Sequence, residues 1–281
     1  MSSPKTDVSP APSRPWLGGL STAASYRNLL RELAVTEFKL KYEGSVLGYL
    51  WSFAKPLMLF GVLYFVFTRF IRLGSSVPHY SLQLLLAIVL WSYFTDSTMR
   101  AIGSIVDRGD LIRKVYFPRI IIVLAGSISS IITLAFNLVV ILGFLLLSGI
   151  GLRPASLLFL PLVLQLYLLS LGCSLLLSAL FVRFRDFRHI WEVGLQILFY
   201  GSPIIYPLEI VPRNLAWIAA LNPIAQIIQD SRRVLVAPDT LTTSGLVHAP
   251  LLLVPYLVPV LLLGLGYWYF ESAAARFAED L

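Results

Sequence analysis

Ile120–Ser148 reads IIIVLAGSISSIITLAFNLVVILGFLLLS, twenty-nine residues without an Asp, Glu, Lys, Arg or His. A helix needs about 20 apolar residues to cross a hydrocarbon layer of roughly 30 Å. Blocks of the same kind lie at 52–70, 82–101, 156–181, 189–206 and 250–270, separated by short polar connections. The chain is 57% hydrophobic and 13% charged, with a mean hydropathy of +0.80. That is too little charge to cover the surface of a soluble domain of 281 residues. The sequence therefore predicts an all-α integral membrane protein with six transmembrane helices, and transport becomes the leading class of function.

Basic residues orient the chain. Lys5, Arg14, Arg27, Arg31, Lys39, Lys41 and Lys55 precede or open the first span. Arg100, Arg108, Arg113, Lys114 and Arg119 follow the second, Arg183, Arg185 and Arg188 follow the fourth, and Arg276 lies in the tail. These sixteen face one side; Arg69, Arg72, Arg153, Arg213, Arg232 and Arg233, six in number, face the other. Positive loops stay cytosolic, so both termini are expected inside. The net charge of +7 fits topology and anionic lipid headgroups rather than nucleic acid.

The connections carry their own organisation. Residues 1–25 read as a disordered cytosolic tail without a cleavable signal, and 271–281 as a second cytosolic tail. Tyr26, Leu29, Leu30, Leu33 and Leu40 recur at helical spacing, which predicts an amphipathic helix over 26–42. Glu37 interrupts its apolar stripe. Gly44, Ser45 and Gly48 allow a bend before Trp51, and Lys55-Pro56 opens the first span, where proline suits a first helical turn. In the loop 107–118, Asp110 can cap a short helix whose Leu111, Ile112, Val115 and Tyr116 share a face opposite Arg113 and Lys114. That helix is either a docking element or a charged membrane stop. Pro203, Pro207, Pro212 and Pro223 break what would otherwise be a continuous apolar run, and 207–236 is expected to form short re-entrant helices on the external side.

Catalytic constellations are absent. The chain has no Gly-rich loop with Lys-Ser/Thr for ATP, no paired His motif, and one cysteine, Cys173, which excludes an internal disulfide and a Cys-based zinc site. No metal site and no catalytic residue is predicted. Asp96 and Arg100, four apart on the second span, share a face with Tyr93. They form either a polar lining or a structural ion pair. Aromatic residues such as Phe199, Tyr200 and Tyr206 stack well against sugar rings, although membrane aromatics also serve as interfacial anchors. Gly126, Ser127, Ser129, Ser130 and Thr133 predict close packing of the third span.

The run Lys39–Trp51 (KLKYEGSVLGYLW), with Lys55-Pro56-Leu57, resembles the N-terminal signature of polysaccharide-exporting ABC permeases of the Wzm/TarG type. So do Leu111–Arg119 (LIRKVYFPR), Arg185-Asp186, Ser202–Pro207 (SPIIYP) and Asn222-Pro223, in that order. Glu37-Phe38 departs from the Arg-Asp pair usual there. The resemblance, over about 26–270, implies a homodimer paired with two copies of a separate ABC ATPase that holds the ATP and Mg. It implies an interface helix with Arg31, Lys39 and Lys41, and a coupling helix at 110–116. It implies an external gate with Pro203, Pro207, Asn222 and Pro223, and a path for a polyprenyl-diphosphate-linked polysaccharide of O-antigen, teichoic acid or galactan type. Tyr93, Asp96, Arg100, Phe199, Tyr200 and Tyr206 are the channel candidates. The implied place is the bacterial cytoplasmic membrane. Alternatives are an exporter of a smaller lipid or drug, and a polyprenyl-phosphate glycosyl- or acyltransferase; the dispersal of the acidic residues speaks against the enzyme.

Overall fold

The computed structural model describes residues 18–41, 43–45, 47–72, 77–114, 117–151, 153–247 and 250–277. Ten α-helices account for most of them: α1 Gly18–Leu40, α2 Trp51–Phe65, α3 Tyr80–Ser104, α4 Gly109–Lys114 and α5 Ile120–Leu147, followed by α6 Phe159–Arg183, α7 Phe187–Gly201, α8 Arg213–Ala220, α9 Pro223–Leu235 and α10 Val254–Ala274. With their short flanking turns, α2, α3, α5, α6 and α10 are each long and apolar enough to cross a bilayer. The expected fifth span, 189–206, is shorter as a helix. Pro203 forces Ser202 into extended backbone (ψ 144°), and α7 stops at Gly201.

Helix α3 is the axis of the bundle. Most of its apolar stretch is buried, 78% against 11% for α2 and 17% for α10. It packs on α2, α5, α6, α7 and α9, with Leu84, Leu86, Ile88, Leu90 and Phe94 almost fully enclosed. It also carries polar residues, with Gln83, Ser97 and Thr98 buried, and in a membrane such a span belongs at the centre of its neighbours. The exposed sides of α2 and α10, including Val62, Phe65, Leu261 and Trp268, are apolar, as lipid or a partner requires.

A second cluster closes the end of the bundle that carries α4. Ile112, Phe117, Ile121, Ile122, Phe270 and Phe277 meet there, and Tyr26, Leu29, Leu30 and Leu33 of α1 pack onto them. The apolar stripe of α1 as far as Leu33 therefore lies on the protein's own core, while Leu40 stays exposed. Two tails shrink accordingly. Residues 18–25, expected as disordered tail, extend α1, because no proline follows Pro15 until Pro56 and the helix propagates backwards. At the other terminus α10 runs to Ala274, and Phe277 is 1% exposed, stacked edge-on to Phe270 at 5.4 Å. Residues 1–17 and 278–281 lie outside the described residues.

The closest helix contact is that of α6 and α10. A Cβ on Gly172 would stand 2.6 Å from the backbone nitrogen of Leu263, and one on Gly266 would collide with the Gly172 carbonyl oxygen. Backbone meets backbone there, as small residues permit within membranes. The sequence pointed to α5 for such packing. Ser127, Ser129 and Ser130 are indeed buried, but Gly126 faces open space.

Candidate functional site

Helix α2 carries a proline in its interior. Pro56 lies in the second turn, since the helix starts at Trp51, and not in the first turn as the sequence suggested. Its missing N–H leaves the carbonyl of Ser52 without a helical donor. Asn137 of α5 supplies one: Nδ2 donates to Ser52 O at 3.2 Å, and also to Thr133 O at 2.9 Å. This repair ties α2 to α5 and holds open a cavity of about 360 Å³ between α2, α3 and α5.

The cavity gathers charge at one end. Lys41 Nζ donates to Asp96 Oδ2 at 2.7 Å and to Thr133 Oγ1 at 3.3 Å. Arg100 Nη2 donates to both Asp96 oxygens, at 2.9 and 3.2 Å. One carboxylate thus balances two cations. Asp96, with 42% of its side chain exposed, faces the opening, while Lys41 is 11% exposed. Lys55 stands exposed on the lining, which continues through Trp51, Trp91 and Tyr93. Of the predicted channel residues, Tyr93 and Asp96 line this cavity and Arg100 joins it through Asp96. Lys41, expected only as part of the interface helix, turns out to belong to it. Arg31 and Lys39 stay on the exposed side of α1.

Phe199, Tyr200 and Tyr206 gather elsewhere. Phe199 packs on Trp91 with ring centroids 5.6 Å apart, and the Tyr206 hydroxyl donates to Tyr200 O at 3.0 Å. Tyr200 is exposed on α7 one and two turns beyond Gln196 and Glu192, so these three form one outward face.

The predicted gate residues have structural tasks. Asn222 caps α9, its Oδ1 accepting from Ile224 N at 2.9 Å, and Pro223 occupies the first turn. Asn222 Nδ2 also donates to Ser202 Oγ at 2.8 Å. Pro207 ends the extended segment before the turn 208–210. Arg232, read from the sequence as an external loop charge, is 2% exposed. Its guanidinium donates to Gln83 O, Pro203 O, Ile204 O and Gln229 Oε1 at 2.6–3.2 Å. Four neutral oxygens, and no carboxylate among the described residues, hold this cation. The Tyr80 hydroxyl adds a bond to Ile205 O at 2.7 Å, so the whole 203–205 segment is fastened to α3 and α9.

At the opposite end, Glu37 of α1 forms an ion pair with Arg108, in the turn just before α4. The residue that broke the apolar stripe is thereby the link between α1 and the loop. Burial lowers the Arg108 pKa below its ordinary value. Phe38 stacks on Tyr49 at 5.2 Å. In α4, Ile112 is turned into the protein core, while Asp110, Arg113 and Lys114 are exposed. Asp110 sits inside the first turn, which starts at Gly109, rather than capping it. Val115 and Tyr116 lie outside the described residues.

Comparison with known proteins adds a family and named relatives. The family model described as "ABC-2 type transporter" matches residues 28–235. The O-antigen export system permease protein RfbA of Myxococcus xanthus is 30% identical over 262 residues, covering 91% of this chain and 96% of its own length. A permease of the same name from Klebsiella pneumoniae is 28% identical over 255 residues, 90% of this chain and 95% of its own. The polysialic acid transport protein KpsM of Escherichia coli is 26% identical over 209 residues, 71% and 78% of the two chains.

Proposed function

Since this chain belongs to the ABC-2 type transporter family, we propose that it is the membrane subunit of an ATP-driven exporter of lipid-linked polysaccharide. The observation that carries this reading is its likeness, over nine-tenths of its length, to permeases named for O-antigen export. The chain is a transport permease and not an enzyme; the ATP and Mg belong to a separate ABC ATPase. The substrate is a glycan on polyprenyl diphosphate, and both termini lie in the cytosol.

The geometry supports a sequence of events. Lys41 and Arg100 are held by Asp96 at the mouth of the α2–α3–α5 cavity. A diphosphate entering there competes with one carboxylate for two cations, and Lys55 adds a third at the rim. Trp51, Trp91 and Tyr93 offer flat apolar faces to sugar C–H groups. Glu192, Gln196 and Tyr200 on the outer face of α7 are costly against lipid. A second copy of the chain, enclosing a wet path along α7, removes that cost and makes the homodimer the working unit. Motion of the ATPase reaches α4, and the Glu37–Arg108 pair passes it to α1.

Purification from native membranes in gentle detergent, with mass spectrometry of the complex, tests the assembly. The expected result is an ATPase subunit at equal copy number, lost when Arg113→Glu and Lys114→Glu are combined. A chain that purifies alone under several mild conditions overturns the reading.

A further inference from the structure

A larger cavity, of about 750 Å³, lies between the first halves of α6 and α10 and the helix α9. This is the end of the bundle remote from α4, because the far ends of α6 and α10 are those that meet the Ile112 and Phe117 cluster. Its volume falls within the roughly 300–1,000 Å³ of ligand cavities. It shares no lining residue with the Lys41–Asp96 cavity. One wall is apolar, built from Leu162, Leu168 and Val260. Such a wall does not hold ordered water.

The polar groups of the cavity are unevenly matched. Asp230 is served by neutral donors: its Oδ2 accepts from Gln226 Nε2 at 2.6 Å and from the Tyr256 hydroxyl at 3.0 Å. Arg233 Nη1 donates to Thr242 Oγ1, also neutral, at 3.1 Å. Among the described residues, neither Arg153 nor Arg233 forms an ion pair with a carboxylate. Two guanidiniums beside an apolar wall, at the end of two spanning helices, match an anionic head on an apolar tail. Arginine recognises phosphate oxygens with paired hydrogen bonds, and phospholipid heads present such oxygens at both faces of a bilayer.

We propose that this cavity binds a membrane phospholipid with an anionic headgroup. Arg153 and Arg233 meet the phosphate, and the upper part of an acyl chain lies along Leu162, Leu168 and Val260. The lipid rests between α9 and the α6–α10 pair and steadies the helix that holds Arg232. It is a resident of the protein and not its cargo, so the assignment stands apart from the identity of the polymer.

The test is native mass spectrometry of the full chain released from vesicles of equal phosphatidylglycerol and phosphatidylcholine. Phosphatidylglycerol should be retained about tenfold over phosphatidylcholine, the equivalent of about 1.4 kcal/mol. Combining Arg153→Gln with Arg233→Gln should abolish the preference. Val260→Trp, which fills the tail region and leaves both charges, should lower retention several-fold; it decides the matter alone if the double variant fails to fold. Arg27→Gln, on the exposed side of α1, should change nothing. Equal retention of the two lipids, or a preference that survives both changes, overturns the proposal. So does displacement by inorganic phosphate, which would mark a free-anion site, or by polyprenyl phosphate, which would mark a cargo site.

Discussion

The two cavities rest on the same device and use it differently. In each, a spanning helix carries an interior proline, and an amide side chain from a neighbour answers the carbonyl that the proline leaves bare. Asn137 does this for Ser52 O opposite Pro56. Gln165 does it for Pro255 O opposite Pro259, at 3.1 Å. Beyond that the cavities part; the one at Lys41 and Asp96 is called inner, and the one at Arg153 and Arg233, remote from α4, outer. The inner one keeps its cations on a carboxylate, Lys41 and Arg100 on Asp96. The outer one spends its carboxylate on Gln226 and Tyr256. An anion must displace an ion pair to bind inside, which suits a guest that arrives and leaves. Outside it meets guanidiniums with no carboxylate to displace, which suits one that stays.

The largest effect should come from Arg232, which ties α9 to α3 and to the 203–204 segment. Arg232→Met leaves the buried oxygens of Pro203 and Ile204 without a donor. Each such loss costs about 1–3 kcal/mol. The chain should accumulate poorly in membranes and lose the outer cavity first, seen as hydrogen exchange rising over 203–235 before it rises in α2 and α5. Uniform exchange would show that α9 and α2 melt as one unit.

Next in size is Asp96→Asn, which leaves Lys41 and Arg100 facing one another without their shared partner. Export of polymer to the cell surface should fall at least tenfold, with Asp96→Glu restoring part of it. Loss of protein from the membrane, rather than of export, would make the triad a structural element.

Smallest is the cycle of Asn137→Leu with Pro56→Ala. Asn137→Leu alone should lower stability by about 1–3 kcal/mol. In the Pro56→Ala chain the restored N–H answers Ser52 O, and the same change should cost less than half as much. Additive losses in thermal unfolding would deny that Asn137 serves the bare carbonyl.

How much of this was legible in the chain depends on range. Five of the six expected spans were, because hydropathy is a sum over neighbours in sequence; the one over 189–206 was not, since Pro203 ends α7 at Gly201. Asp96 and Arg100 were, because four residues on a helix fix a shared face. Lys41 reaches Asp96 across 55 positions, and nothing in its own surroundings foretold whether it would turn in or out. Arg232 looked like a solvated loop charge because its partners are backbone oxygens, which every residue carries. Glu37 was visible as an anomaly in an apolar stripe, but its answer lay at Arg108. Gly172 and Gly266 sit on different helices among many glycines, and only their crossing gives them meaning. The prolines were read as breaks in 203–223; the ones inside α2 and α10 are tolerated because the neighbouring helix provides the missing donor.

The Gly172–Gly266 crossing bears on how the protein can move. With main chain seated on main chain, no side-chain rotamer is available to take up a displacement, and sliding α10 along α6 would drive Cα atoms into carbonyl oxygens. These two helices therefore form a keel. Any rearrangement of the bundle must carry these two helices as one body and move the others against them.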